Sequence, residues 1–263
     1  MFNTSRSLIL ITLIATGVGC VTATDIPSKR SLIESFIQKQ RYNFNWKAKG
    51  DLKLNIVENA KKVTIRASVE LLYKHPSQFR MDFLGPFGLT EASLVIKNKT
   101  AVFVSPKKEK VYIGTLQELP FSSSLSYPLA WIEFARLFVG VIHIENVQMD
   151  KILTTKNGYK IKFRPGIWEW QVIKKKDRFM EHGIFTPIQG KPAFNVSYDH
   201  FSRLDDIYFA KSVNIEFVNR GPSIQLNFKE IGMLKNITVN YFDVPIDSNF
   251  KIYSISNLEL SSL

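Results

Sequence analysis

The chain has only one cysteine and four histidines among its 263 residues, which limits the chemistry that it can carry. A single thiol cannot form a disulfide within the chain and cannot supply a cysteine-rich metal site. The histidines (His75, His143, His182 and His200) do not stand at metal-ligand spacing with one another. Each is expected at the surface or in a turn, so no metal site and no cofactor is predicted.

The sequence also lacks short motifs of common enzyme classes. It has no Gly-x-Ser-x-Gly nucleophile elbow and no glycine-rich loop that would cradle a phosphate. The adjacent carboxylates Asp205 and Asp206 would point to opposite faces of a strand, so they do not form a pair for acid–base chemistry. Asp199 and His200 precede a loop-like segment and are not expected to act in catalysis. We therefore predict no catalytic residue and expect a protein that is not an enzyme.

Long apolar runs are absent after residue 19, so no later segment is long enough to span a membrane. The run "SLILITLIATGVG" follows a short, positively charged start and has the length of a signal peptide. Gly19 and Cys20 fit a lipobox, the processing signal of bacterial lipoproteins, although Gly17 stands where that pattern prefers leucine. We expect lipidation of Cys20, and the alternative is a type I signal peptide cleaved after Ala23.

Lipidation would tether the protein to a membrane surface without embedding it. The organisation expected is a signal peptide at 1–19, a lipidated N-terminus and tether at 20–30, and one domain at 31–263.

The net charge of +12 favours anionic partners, but an exported protein is not expected to meet nucleic acid. The lysine clusters "SPKKEK" (105–110) and "IKKKD" (173–177) are interpreted as solvated turns. Contact of these clusters with anionic lipid head groups is the alternative.

Alternation of apolar and polar residues with a period of two dominates the rest of the chain. It predicts about a dozen antiparallel strands, each with one dry and one wet face. The alternating runs cover 44–56, 63–73, 79–83, 159–163, 168–172, 194–198, 207–217, 224–228 and 237–241. Two segments, 31–40 and 128–140, instead have the apolar spacing of short amphipathic helices. The fold class expected is mainly β, with one large, curved antiparallel sheet and about two short helices lying across it.

A sheet of this many strands tends to curl, and its inner face would then be lined by apolar residues. A ligand-holding cavity and a solid core are both compatible with the pattern, and the width of such a sheet favours the cavity. The residues expected to line it are Phe44, Trp46, Val63, Ile65, Val69, Phe79, Met81, Phe83, Trp168, Trp170, Phe209 and Phe217.

The stretch "QFRMDFLGPFGLTEASLVI" (78–96) places a phenylalanine on a loop tip, between Pro86 and Gly88. An exported chain with a lipobox and this strand–tip–strand resembles the LolB family of outer-membrane lipoprotein receptors and the wider group of the carrier LolA. The similarity is strongest over 76–140, and the terminal "YFDVPIDSNFKI" (241–252) is similar to the closing strand of such proteins.

The resemblance implies an unclosed β-barrel whose helices form a lid over a hydrophobic cavity for the acyl chains of lipoproteins. It implies a LolA-like periplasmic carrier as partner and an outer-membrane location on the periplasmic face, anchored through Cys20. Val21 follows the cysteine in place of the aspartate that retains lipoproteins at the inner membrane in enteric bacteria. Pro86, Phe87 and Gly88 match the loop that delivers the lipoprotein into the membrane. The alternative is that Phe87 folds back as a plug on the barrel.

The sequence departs from the family in having an aromatic tip residue and a longer chain. The cargo is therefore expected to be acylated lipoproteins or another lipid. A lipid-tethered periplasmic scaffold or envelope-stress sensor that binds a protein partner is the alternative function.

Overall fold

Strands of alternating pattern form one sheet in the computed structural model of the protein. The structure describes residues 45–58, 61–119, 135, 137, 138, 148–155, 158–164, 168–174, 182–187, 194–204, 207–217 and 222–259. The signal peptide, Cys20, the tether, Phe44 and the helix predicted for 31–40 lie outside these residues.

Fourteen strands are found in the described part of the chain. They are β1 (Asn45–Glu58), β2 (Lys61–Lys74), β3 (Gln78–Leu84), β4 (Thr90–Lys97), β5 (Thr100–Ser105), β6 (Lys110–Thr115), β7 (Gln148–Thr155), β8 (Gly158–Arg164), β9 (Trp168–Lys174), β10 (His182–Pro187), β11 (Phe194–Leu204), β12 (Ile207–Phe217), β13 (Ser223–Leu234) and β14 (Lys251–Ser254). Short 3-10 turns occupy Pro86–Gly88, Pro106–Lys108, Leu116–Glu118, Val239–Phe242 and Ile255–Asn257.

The sheet consists of two meanders joined at the centre. Strands β1 to β6 follow one another as neighbours, strands β7 to β13 do the same, and β13 pairs with β1. The outermost strands are β14 and β7, and these two do not pair with each other in the described residues. The prediction of a mainly β protein with one large, unclosed sheet is therefore confirmed.

The pairing is antiparallel throughout except at β14, which runs parallel to β6. A strand predicted for 237–241 is wrong, because Val239–Phe242 is a 3-10 turn. Of the segment 241–252, interpreted above as a closing strand, only Lys251 and Ile252 belong to a strand. Strands β13 and β14 run in the same direction, so the chain between them has to return from the end of β13 to the opposite end of the sheet, where β14 begins.

One face of the sheet, called here the inner face, carries the main apolar cluster. Trp46, Leu71, Phe79, Phe194 and Leu226 belong to it, and each is almost completely buried. These residues come from both meanders, so the cluster spans the junction of β1 and β13. Burying a side chain of this size stabilises the fold by about 1.5–3 kcal/mol.

The chain between β6 and β7 has to pass from near one edge of the sheet to the other, and part of it covers the inner face. Ala135, Leu137 and Phe138 are helical and buried. The ring of Phe138 lies 6.3 Å from that of Phe79 on β3, and the hydroxyl of Tyr198 on β11 donates to the Leu137 carbonyl at 2.8 Å. Strands β3 and β11 are five places apart, about 24 Å in a flat sheet. The sheet therefore curves around this segment, which belongs to the helix predicted for 128–140.

The opposite, outer face is covered by the connection from β13 to β14, called here the C-terminal strap (235–250). Leu72 on β2 and Val95 on β4 are buried against Ile237 and Phe242 of the strap. The apolar runs at 71–73 and 94–96 are continuous because successive residues of a strand face opposite sides, and both sides of the sheet are buried here.

The junction of the two meanders leaves no room for a side chain at Gly50. A register shift lies between Lys49 and Gly50, and a Cβ at Gly50 would lie 2.4 Å from the backbone oxygen of Asn227 on β13. We expect Gly50→Ala to lower the free energy of unfolding by about 1–3 kcal/mol, because the two strands must move apart. Urea unfolding followed by circular dichroism measures this.

Gly232→Ala is the matched control, because a Cβ there would meet no atom within 4 Å. Its effect is expected to stay within about 0.5 kcal/mol. Equal effects of the two substitutions would contradict the close contact at the junction.

The buried hydroxyl of Tyr198 holds the helical residues Leu137 and Phe138 on the inner face. Burial raises the pKa of this hydroxyl well above its usual range, so it is protonated and donates to the Leu137 carbonyl at neutral pH. Tyr198→Phe is expected to destabilise the protein by about 1–3 kcal/mol, because the buried carbonyl loses this donor. Tyr241→Phe, at an exposed position, is the control for urea unfolding. If Tyr198→Phe lowers the free energy of unfolding no more than the control does, the hydrogen bond to Leu137 does not stabilise the fold.

Candidate functional site

The β3–β4 tip is a closed loop of five residues. The Gly85 amide donates to the Leu89 carbonyl at 2.8 Å, and the Gly88 amide donates to the Gly85 carbonyl at 3.2 Å. Pro86 opens the 3-10 turn, where its fixed φ suits the first position. The loop is therefore fixed by its own backbone bonds.

Two residues of this tip have left-handed backbone conformations, Phe87 with φ of 63° and Gly88 with φ of 75°. Glycine adopts this conformation freely, whereas a residue with a Cβ loses about 1–2 kcal/mol in it. The conformational preference of phenylalanine therefore does not explain why this residue occupies position 87.

The side chain of Phe87 is 100% exposed, and that of Leu89 is 70% exposed. Phe87 does not fold back onto the sheet, so the plug interpretation differs from the structure. Leu89 was not singled out from the sequence, since an aliphatic residue at the start of a strand looks like an ordinary core position. Together the two side chains form an apolar pair on the tip.

The Arg-x-Asp part of the same motif has a different place in the structure. The Arg80 guanidinium lies 2.9 Å from the Asp82 carboxylate and donates to the Tyr241 carbonyl of the strap at 2.9 Å. Ser93 donates to Asp82 at 2.6 Å. These residues attach the strap to the outer face and do not belong to the tip.

Most of the residues predicted to line the interior lie on the inner face. Fully buried members of the main cluster are Trp46, Val69, Phe79, Met81, Phe209 and Phe217. Partly buried residues that pack against it are Val63, Ile65 and Phe83. Trp168 and Trp170 are on β9, but their side chains lie outside the described part, as does Phe44.

Trp46 has an unusual environment for a buried indole. Its ring stacks on Tyr73 with centroids 5.9 Å apart, yet its Nε1 has no hydrogen-bond partner among the described residues. A buried donor without an acceptor costs about 1–3 kcal/mol. Among the described residues of the inner face, the Trp46 Nε1 is thus a buried donor without an acceptor, whereas the hydroxyls of Tyr73 and Tyr198 donate to backbone carbonyls.

A cleft of about 360 Å³ lies on the outer face, between the β4–β5 turn and the C-terminal strap. Val95, Val102, Phe242, Val244 and Ile246 supply its apolar lining, and Lys97, Asn98, Thr100 and Asp243 its polar lining. Lys97 and Asp243 form an ion pair at 2.7 Å across it. Alternating residues at 237–241 predict a strand here, so no sequence pattern indicates this cleft.

A metal site requires several His, Cys, Asp or Glu side chains close together. Within the described ranges, no three His, Cys, Asp or Glu side chains come together as a metal site. His200 is exposed and lies 3.5 Å from the exposed Asp199. In those same ranges no helix has both the length and the apolar character needed to cross a bilayer.

No protein-family model matches the sequence, and no curated protein matches it. Solved structures resemble the fold at low sequence identity. A DUF1329 family protein from Desulfovibrio piger superposes with a TM-score of 0.57 at 9% identity, over 80% of this chain and 94% of that one. A domain of a putative outer membrane lipoprotein-sorting protein from Vibrio parahaemolyticus gives 0.53 at 11% identity, over 81% and 94%.

A LolA superfamily protein from Nitrosomonas europaea gives a TM-score of 0.53 at 10% identity, over 82% of this chain and 97% of that chain. The shared architecture extends over most of the described sheet. At these identities the likeness concerns the fold alone, and on that evidence the chain has a LolA-like fold.

Proposed function

We propose that the protein is an outer-membrane lipoprotein that binds acyl chains on its inner face and helps to insert lipoproteins, or related lipids, into that membrane. The observation that carries the proposal is the fully exposed and strained Phe87 at the tip of a rigid loop.

The tip supports membrane insertion on energetic grounds. In the described structure Phe87 contributes no burial to the fold, and its backbone conformation is unfavourable. Moving a phenylalanine side chain from water into an apolar phase is worth about 1.5–3 kcal/mol. An interfacial position at a lipid surface would stabilise the exposed ring, and Leu89 would enter beside it.

The inner face supports the binding of acyl chains. It is continuous and apolar across both meanders, and it belongs to a sheet that is not closed. Burying one methylene of a lipid is worth about 0.8 kcal/mol, so a modest difference between two carriers would move an acyl chain from one to the other. This function is binding and transfer, and it requires no catalytic residue.

Trp46 fits the same role. The ligand of such a site carries an ester or amide carbonyl at the head of its acyl chains, and the unpaired Nε1 would donate to that oxygen. The donor would then be satisfied only when the ligand is bound.

The proposed function also includes a lipid anchor at Cys20 and a periplasmic carrier protein as partner. Lipidation of Cys20 would hold the domain at the periplasmic face of the outer membrane, within reach of a LolA-like periplasmic carrier. The lipobox-like sequence before Cys20 and the LolA-like fold support this placement.

A second candidate is a lipid-tethered scaffold or stress sensor that binds a protein. The observation in its favour is the outer-face cleft of about 360 Å³, in which apolar residues and an ion pair are open to a partner. Binding of acylated ligands separates the two candidates.

The test of the proposed function is titration of the exported chain with a fluorescent acylated peptide. For this purpose residues 20–263 carry Cys20→Ser and are secreted behind a cleavable leader. We expect saturable binding that unlabelled lipoprotein displaces. A flat titration of folded protein would mean a solid core and would favour the protein-binding candidate.

Phe87→Glu should leave the acyl-binding affinity unchanged and slow the delivery of the peptide to liposomes about tenfold or more, because the tip loses its apolar anchor. Delivery is measured by transfer of the fluorescent acyl peptide. Leu153→Glu is the matched control, since Leu153 is an exposed apolar residue (45%) on the edge strand β7. Delivery at the parental rate by the Phe87 variant would refute the role of the tip.

Trp46→Phe removes the indole N–H together with part of the buried ring, so it should lower the free energy of unfolding by about 1–3 kcal/mol and weaken binding of the acylated peptide about fivefold to tenfold. The lost donor is worth about 1 kcal/mol in the complex. Isothermal titration and urea unfolding measure the two quantities. Loss of stability without loss of affinity would contradict a ligand-directed donor.

A further inference from the structure

We propose that the first half of β2 is a docking strand for the extended peptide that follows the acylated residue of a lipoprotein. This inference rests on the proposed function, because it concerns the peptide part of the same ligand. The peptide would add to the sheet as a further strand, in line with β3 and antiparallel to β2.

Strand β2 extends past the end of its neighbour β3. Leu84, the last residue of β3, pairs with Ser68, whereas β2 begins at Lys61. On its other side β2 stays paired with β1 as far as Lys61, which lies opposite Glu58. Among the described residues no strand pairs with 61–67 on the β3 side, and this stretch is called here the free edge.

The direction of the backbone groups along the free edge follows from the register of β1 and β2. Only two residues join Glu58 to Lys61, and the pair that closes so short a hairpin exchanges its backbone hydrogen bonds. Successive residues of an antiparallel strand direct these groups to opposite sides. The N–H and C=O groups of Lys62, Thr64 and Arg66 are therefore directed away from β1, and within the described structure they bond to no other segment. Such a row of groups is a template for another strand.

Polar side chains on the outer face fix the free edge to the rest of the sheet. The Thr64 hydroxyl donates to Oδ1 of Asn55 on β1 at 2.9 Å, and the Asn55 amide donates to the Ser223 hydroxyl on β13 at 2.8 Å. Further along the same strands, the Ser68 hydroxyl donates to Asp51 at 3.1 Å. The edge is thus formed before a partner arrives, so the ordering cost of binding falls on the peptide alone.

On the inner face the free edge continues the apolar surface of the main cluster. Val63, Ile65 and Ala67 are half-buried and pack against that cluster, whereas their neighbours Leu54 and Ile56 on β1 are buried. An added strand would place every second side chain against the three half-buried residues. A peptide whose first residue is acylated would then have its acyl chains on the inner face and its backbone at the adjoining edge.

The charge on the outer face favours an acidic peptide. Arg66 lies directly opposite Lys53, whose other neighbour is Gln225, and like charges in such a position are destabilising. Asp51 stands two residues from Lys53 along β1, but its carboxylate accepts from Lys229 at 2.8 Å. An acidic side chain on an added strand, beside Arg66, would offset the repulsion between the two cations.

The experiment uses dipalmitoylated, fluorescent peptides in which valine and aspartate alternate after the acylated cysteine. Residues opposite each other in an antiparallel pair have their side chains on the same face, so the aspartates would lie opposite Lys62, Thr64 and Arg66. The aspartate N–H groups would then point to β2, and the valine N–H groups would point to solvent. One peptide is N-methylated on its aspartates and its matched control on its valines, with the same acyl chains in both.

Binding of these peptides to the Cys20→Ser exported chain is measured by titration. We expect the aspartate-methylated peptide to bind about tenfold more weakly than the unmethylated one, because it loses its hydrogen bonds to β2, and the valine-methylated peptide to bind as the unmethylated one does. Equal affinities of the two methylated peptides, or weaker binding of the valine-methylated one, would overturn the docking strand. The proposed function would remain, because the acyl chains still bind.

On the protein side the test variant is Thr64→Pro. Proline at this position removes no backbone bond to β1, but it blocks the approach of another strand. Thr64→Val removes the hydroxyl bond to Asn55 alone and serves as one control. Ile252→Pro is the second control, because the Lys251 amide donates to the Glu109 carbonyl and the Ile252 amide therefore points away from β6.

Thr64→Pro is expected to bind the unmethylated peptide about tenfold more weakly than the parent does, while both controls keep the parental affinity. It should bind the aspartate-methylated peptide with the parental affinity, since that peptide no longer pairs with β2. Parental affinity of Thr64→Pro for the unmethylated peptide would contradict docking at the free edge.

Arg66→Glu tests the charge and leaves the backbone of the free edge intact. It should weaken binding of the aspartate peptide about threefold to fivefold and strengthen binding of a peptide with lysine in place of aspartate. Lys99→Glu, at an exposed position in the β4–β5 turn, is the control for net charge. Equal effects of the two substitutions would mean that Arg66 does not contact the peptide and would overturn the inference.

Amide hydrogen exchange gives a direct readout of strand pairing. Exchange at Lys62, Thr64 and Arg66 should slow when the unmethylated peptide binds, because their N–H groups become bonded. Unchanged exchange in the presence of bound peptide would overturn the docking strand but not the binding of acyl chains. Absence of binding of all the peptides by folded protein would refute both the proposed function and this inference.

Discussion

The pairing of β1 with β13 is the interaction on which the rest of the structure depends. It joins two meanders that would otherwise be separate sheets, and it makes their apolar faces into one surface. The strands approach so closely at Gly50 that the backbone of Asn227 occupies the space of a side chain. With the junction at the centre, the two edges are left at β14 and β7, and the sheet can curve around the helical segment at 135–138 without closing.

The two faces of the sheet are covered by the two long connections of the chain. The link from β6 to β7 brings Phe138 against Phe79 on the inner face, and the strap from β13 to β14 brings Phe242 against Val95 on the outer face. Both connections are long because each joins strands that are far apart in the sheet. The motif that carried the resemblance has two separate places in the structure: Arg80 on β3 binds the strap, and Phe87 is exposed at the β3–β4 tip.

The exposed ring and the unfavourable backbone conformation of Phe87 both lower the stability of the isolated protein. Asparagine or glycine would suit the φ of residue 87 better, and a polar side chain would suit its exposure. Contact with a lipid surface would bury the ring, and the free energy of this burial would offset the unfavourable backbone conformation. The Nε1 of Trp46, without an acceptor among the described residues, likewise lowers the stability of the isolated protein, and a ligand on the inner face would supply the missing acceptor.

Alternation along the chain predicted β1 to β3, β8, β9 and β11 to β13, whereas β5, β6, β7, β10 and β14 match none of the alternating runs. Trp46, Val69 and Phe79 lie in the buried cluster of the inner face, because a period of two places alternate residues on one face. That these residues line a ligand cavity stays a prediction. The same rule failed at 237–241, where Ile237 packs onto the outer face, Tyr241 is exposed, and the strap forms a 3-10 turn. Alternation by itself does not say whether a segment pairs with a neighbouring strand or crosses the face of the sheet.

The sequence by itself determined the mainly β character, the apolar inner face and the tip motif, because these depend on residue type and local spacing. Only the tertiary structure decided that β13 pairs with β1, that β14 runs parallel to β6, and that the outer face carries a cleft. It also decided that Leu89 is exposed on the same tip as Phe87. These features arise from contacts between residues far apart in the chain, and local spacing carries no information about which distant strands become neighbours.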